Sequence, residues 1–83
     1  MATKEALVGK GFQDKRYREL IAALVAKRKK LKLSQNALAQ RLGRHQQFVS
    51  RYEIGERRLD VVEYVDVARA LGVDPAEQIA VLT

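Results

Sequence analysis

Residues 34–55 read SQNALAQRLGRHQQFVSRYEIG, and the spacing within this stretch decides the fold. Ser34 stands where a helix N-cap accepts a hydrogen bond from a first-turn backbone N–H. Leu38, Ala39 and Leu42 follow at helical spacing on one face. Gly43 comes directly after them, where the chain needs a left-handed residue to turn and only glycine adopts it at little cost. A second helix of about residues 46–54 then carries Phe48, Val49 and Tyr52 inward. Two short helices joined by a glycine turn form a helix-turn-helix unit.

A helical wheel separates the faces of that second helix. At about 100° per residue from Gln46, the side chains of Gln46, Ser50, Gln47 and Arg51 span about 0–140°, and Phe48, Tyr52, Val49 and Glu53 span about 200–340°. The polar arc holds no acid. Glutamine offers a donor and an acceptor that match adenine N6 and N7, and arginine offers a fork that matches guanine O6 and N7. An ordinary solvent-facing helix more often carries Glu and Lys spaced for i, i+4 pairs. The arc is therefore equipped to read base edges.

The chain around this unit reads as helix throughout. Residues 1–13 have no sustained period, contain Gly9 and Gly11, and are expected to form a mobile arm; Lys4 and Lys10 on it could touch phosphate, but a plain tail is the stronger reading. Residues 14–83 are expected to form the domain. The first helix is predicted from near Asp14 to about Lys30, with Tyr17, Leu20, Ile21, Leu24, Val25 and Arg28 on its apolar face. Its last turn, Lys27–Lys30, either complements the helix dipole or contacts phosphate. Leu31 and Leu33 are expected to cover the next join.

Past Gly55, Asp60 and Glu63 make a capping-box variant, and Leu59 can staple against Tyr64. Val61, Tyr64, Val65, Ala68 and Leu71 are predicted as the buried stripe of the fourth helix, which Gly72 stops. Asp74-Pro75-Ala76-Glu77 is the strongest helix start in the chain. The fifth helix is predicted to reach about Leu82, with Ile79 and Leu82 inward. No strand pattern appears. The expected fold is all-α, a compact bundle of five short helices.

Length and composition narrow the function. With 83 residues and 47% hydrophobic content, the chain holds one small globular domain. The absence of cysteine removes disulfides and thiolate metal sites and fits a reducing cytoplasm. No apolar run is long enough to span a membrane, and the start of the chain lacks the apolar core of a signal peptide. Residues 1–58 carry 15 of the 16 Lys and Arg and 5 of the 10 Asp and Glu, a balance of +10. Residues 59–83 carry one base and five acids, a balance of −4. A basic half of this kind attracts polyanions. His45 is the only histidine and has no second ligand at metal spacing, so no metal or cofactor is expected. No nucleophile, base and orienter set can be built around it, so an enzyme is not expected.

Several residues together carry a family resemblance. Ser34-Gln35-x-x-Leu38-Ala39, Leu42-Gly43, Val49-Ser50-Arg51, Glu53-x-Gly55 and Ala68-x-x-Leu71-Gly72-Val73 resemble the pattern of the Cro/C1-type (Xre-like) helix-turn-helix repressors, over about Tyr17 to Leu82. The Gln46-Gln47 pair is similar to the start of the recognition helix in phage repressors of that family. The resemblance implies a lambda repressor-like DNA-binding domain in the bacterial or phage cytoplasm. It implies that Gln46, Gln47 and Arg51, with Ser50 between them, sit where bases are read. It also implies that Gln35 contacts a phosphate and braces Gln46. By the same resemblance Arg28 pairs with Glu53, a structural ion pair that the core-facing arcs of both residues also require.

Three departures accompany the resemblance. Arg44 stands at a usually apolar turn position and is expected to bind phosphate. His45 stands where Ser or Thr often caps the recognition helix, and could approach the DNA backbone when protonated. Phe48 replaces a small polar residue; it either pads the core or touches a thymine methyl, and its place on the wheel favours padding. Ile54 also replaces a usual Asn, so Arg57 and Arg58 are expected to supply the phosphate contacts of that loop.

The function implied is sequence-specific binding of a double-stranded operator as a transcriptional regulator, in most cases a repressor. A homodimer through the fourth and fifth helices is expected, because single modules bury only about 600–1,000 Å² on DNA. Val67, Val73 and Val81 are its candidate contacts. The competing reading is a protein-interaction module, an antitoxin or coactivator using the same fold.

Overall fold

Asp14 caps the first described helix by accepting the backbone N–H of Arg16 at 2.8 Å. The computed structural model describes residues 14–82, so the expected arm at residues 1–13, with Lys4 and Lys10, lies outside the described residues. The described residues form five helices: α1 Lys15–Lys30, α2 Gln35–Leu42, α3 Gln46–Ile54, α4 Val61–Ala70 and α5 Pro75–Ala80. No strand occurs among the described residues.

Local chemistry marks nearly every boundary. Ser34 accepts the Ala37 N–H at 2.9 Å, Asp60 and Glu63 complete a reciprocal capping box, and Asp74 caps α5 ahead of Pro75. The ends of α1 to α4 share one geometry, with a left-handed residue and a 6→1 backbone bond. Gly43, Gly55 and Gly72 fill the left-handed position after α2, α3 and α4. Lys32 fills it after α1, at φ 59°. A lysine there carries a Cβ penalty that glycine avoids.

One core joins the helices. Leu24, Leu38, Val49, Tyr52, Val67 and Leu71 have almost no exposure. Tyr17, Leu20, Val25, Leu33 and Leu42 pack around them, half-buried. Each fully buried Leu or Val contributes about 1.5–3 kcal/mol. Leu59 and Tyr64 are both in this cluster, at the staple positions flanking the start of α4.

Five apolar expectations need correction. The buried stripe of α4 runs Tyr64, Val67, Ala68 and Leu71, with Val65 half-buried beside it, and Val61 is 74% exposed. Val67 lies i+3 from Tyr64 and i−4 from Leu71, inside the stripe, so it is core and cannot be a dimer contact. Val61 stands in the first turn, about 70° from the centre of that stripe, and faces solvent. Leu31 is 42% exposed; Leu33 alone covers the α1–α2 join. The fifth helix stops at Ala80, Ile79 is 40% exposed, and Leu82 is only half-buried.

Candidate nucleic-acid interface

The exposed face of α3 is created by what the opposite face buries. Phe48, Val49 and Tyr52 lock the helix into the core. Gln46, Gln47 and Arg51 are thereby turned to solvent, with Ser50 half-exposed among them. Among the described residues, none of these four side chains has a hydrogen-bond or ion-pair partner. No acid lies on this face.

Glu53, the acid on α3, points the other way. Its Oε2 accepts Arg28 Nε at 2.7 Å and its Oε1 accepts Arg28 Nη2 at 3.0 Å. The remaining guanidinium nitrogen donates to the Leu33 carbonyl at 2.8 Å. Gln35 Nε2 donates to the same carboxylate at 2.9 Å. The Gln35 amide nitrogen therefore braces Glu53 rather than Gln46. These bonds tie α1, the α1–α2 turn and the start of α2 to the far end of α3.

The other end of α3 is gripped by a second cluster. Glu63 receives Arg57 through two bonds, Nη1 to Oε1 at 2.8 Å and Nη2 to Oε2 at 2.7 Å. Arg44 Nη2 reaches Oε2 at 3.2 Å, and the Asp60 N–H reaches Oε1 at 3.0 Å. The guanidinium carbons of Arg44 and Arg57 lie 4.3 and 4.9 Å from the Phe48 ring centroid. Phe48 itself meets Tyr52 edge-on, with centroids 5.6 Å apart. Phe48 is thus core padding under two cations, at 9% exposure. The Arg57 hydrogen bond, and next the Asp60 N–H, hold the Glu63 carboxyl well down, to about 2.

This cluster changes the expectation for Arg57 and extends the one for Glu63. Arg57 was expected on phosphate, and the structure places its guanidinium on Glu63. Glu63 was visible in the sequence only as a capping-box residue. The partners lie 19 and 6 residues away in sequence, and no local pattern links them. Arg58 remains exposed, its guanidinium 5.2 Å from the Tyr17 ring centroid, and the Tyr17 hydroxyl accepts the Leu59 N–H at 3.1 Å. His45 occupies the N-cap of α3, exposed, and makes no side-chain cap bond. Ile54 is exposed at the helix end.

Among the described residues no group of three or more His, Cys, Asp and Glu could hold a metal ion. No helix among them is long and apolar enough to cross a membrane.

Two helices across a glycine turn, with an acid-free amide and arginine face on the second, define a helix-turn-helix domain of the DNA-binding class. A family model for the helix-turn-helix matches residues 24–78. The solved structure of an XRE-family like protein from Pseudomonas syringae pv. tomato str. DC3000 is similar, with 41% identity, a TM-score of 0.80, and coverage of 92% of this chain and 93% of that one. No curated protein matches. The chain belongs to the Xre-like helix-turn-helix family of DNA-binding transcription regulators.

Proposed function

We propose that this chain is a sequence-specific transcriptional repressor that lays α3 in the major groove of an operator. Gln46, Gln47, Ser50 and Arg51 read base edges, with both glutamines in the first turn, which enters deepest in this motif. The observation that carries this reading is the outer face of α3: two amides and an arginine are exposed together, unpartnered among the described residues, with no acid beside them. Gln35, Arg44 and Arg58 are its phosphate contacts. Arg57 positions the loop through Glu63.

The working unit in this reading is a homodimer on a pseudo-palindrome, acting in the bacterial cytoplasm, with half-sites about one helical turn apart. Val61 and Val62 on α4 and Val81 after α5 are exposed apolar side chains that suit such a contact. Selection from random duplex DNA at two salt concentrations tests the whole reading. A recovered palindrome supports it. Binding without sequence preference, together with copurification of a stoichiometric protein, would instead support an interaction module.

A further inference from the structure

The turn before α3 and the loop after it each send one arginine to a single carboxylate. Arg44 comes from the turn, Arg57 from the loop, and Glu63 from α4. The two arginines are held unequally. Arg57 makes two short bonds to Glu63 and a longer one, 3.4 Å, to the Arg58 carbonyl. Arg44 makes one bond at 3.2 Å, and its side chain is 43% exposed. Releasing Arg44 leaves Glu63 still satisfied by Arg57 and the Asp60 N–H. Releasing Arg57 would strip the carboxylate of two bonds. Phe48 supports the Arg44 guanidinium from below, so the cation is already oriented at the edge of α3.

A phosphate oxygen offers arginine the same charge and acceptor geometry as a carboxylate. Glu63 therefore stands to Arg44 as an internal substitute for phosphate. On DNA that α3 does not fit, the phosphates stay at a distance and the internal partner wins. When α3 seats fully, a phosphate comes within reach and can replace Glu63.

We propose that Glu63 is a positioning residue for specificity: it keeps Arg44 from loosely bound DNA and yields it to a backbone phosphate only in the fully seated complex. This inference rests on the DNA-reading assignment of α3. It makes Arg44 a contact of the cognate complex and leaves Arg57 on Glu63 in both complexes.

The test compares cognate and random-sequence duplexes across a salt series with Glu63→Gln, Arg44→Ala and the double variant. One additional phosphate contact steepens the loss of affinity between 50 and 200 mM salt by roughly threefold. Glu63→Gln is expected to show that steepening on random DNA and to raise affinity there several-fold more than on the cognate, so the cognate-to-random ratio falls. In the Arg44→Ala background the gain should vanish. Asp66→Asn is the control for simple loss of negative charge, because Asp66 is exposed on the same helix and has no bonded partner among the described residues.

A gain no larger than that of Asp66→Asn, or one that persists without Arg44, overturns the proposal. If Glu63→Gln does not fold, Arg44→Ala alone decides: it should weaken the cognate complex more than the random one, and equal losses overturn the proposal. Wild-type protein that binds no duplex selectively would defeat the functional reading itself, a separate outcome.

Discussion

Arg28 and Glu53 join α1 to α3 through a two-point contact, at 2.7 and 3.0 Å, with 10% and 6% of their side chains exposed. Gln35 and the Leu33 carbonyl complete the network. Removing either member leaves a buried charge uncompensated, which typically costs about 3–5 kcal/mol. Urea melts of Arg28→Ala and Glu53→Ala should show losses of that order. Losses below about 0.5 kcal/mol, the range of ordinary surface changes, would refute a structural role.

Acid should weaken the fold through Glu63. Its carboxyl is lowered from 4.5 to about 2 by the Arg57 hydrogen bond and the Asp60 N–H. A carboxylate with a depressed folded pKa stabilises above its unfolded value and loses that contribution as pH falls through the folded one. The melting temperature should therefore decline between about pH 4.5 and 2, and Glu63→Gln should flatten part of that decline. Asp14, lowered to about 2 first by the Arg16 side chain, acts in the same direction from a more exposed position. A decline of equal steepness in the Glu63→Gln protein would show that the acid sensitivity comes from elsewhere.

The left-handed residue after α1 offers a stabilising change. Lys32 holds φ 59° without the freedom of glycine. A non-glycine residue in that region carries a penalty of roughly 1–2 kcal/mol, part of which glycine returns as unfolded-chain entropy. Lys32→Gly should raise the melting temperature by a few degrees. A fall would mean that the lysine side chain contributes more than its backbone strain removes.

Base reading and phosphate contact should separate in binding data. Gln47→Ala is expected to reduce discrimination at one base pair by about 1–3 kcal/mol while leaving random-sequence affinity unchanged. Arg58→Ala should weaken all duplexes alike and shallow the salt slope by about 1. Indistinguishable behaviour of the two variants on cognate and random DNA would refute the division of roles.

Tyr52 has a fully buried hydroxyl without a partner among the described residues. An unsatisfied buried polar group costs about 1–3 kcal/mol. Tyr52→Phe keeps the ring against Phe48 and should leave the protein as stable or more so. A clear loss of stability in calorimetry would reveal a bonded partner for the hydroxyl.

What could be read in advance was local. Asp14, Ser34, Asp60 and Asp74 announce helix starts because an N-cap acts within three residues of itself. Gly43 and Gly72 announce helix ends for a similar reason. Lys32 makes the same turn as those glycines and carries no such mark. Val61 and Val67 lie on opposite edges of the apolar arc of α4, and periodicity alone does not say which edge meets the core. The Glu63 cluster was hidden because long arginines reach it from two separate connections, and only packing brings those connections together.

The uncapped start of α3 has a kinetic consequence. The backbone N–H groups of Gln46 and Gln47 have no helical acceptor, and His45 supplies no side-chain one. These amides should exchange with solvent deuterium far faster than those of Val49 or Tyr52. The turn that holds both glutamines is therefore the part of α3 whose protection can change most when a ligand covers it. Its exchange rate is a clock for the state of that surface, one that can be followed without any label attached to the protein.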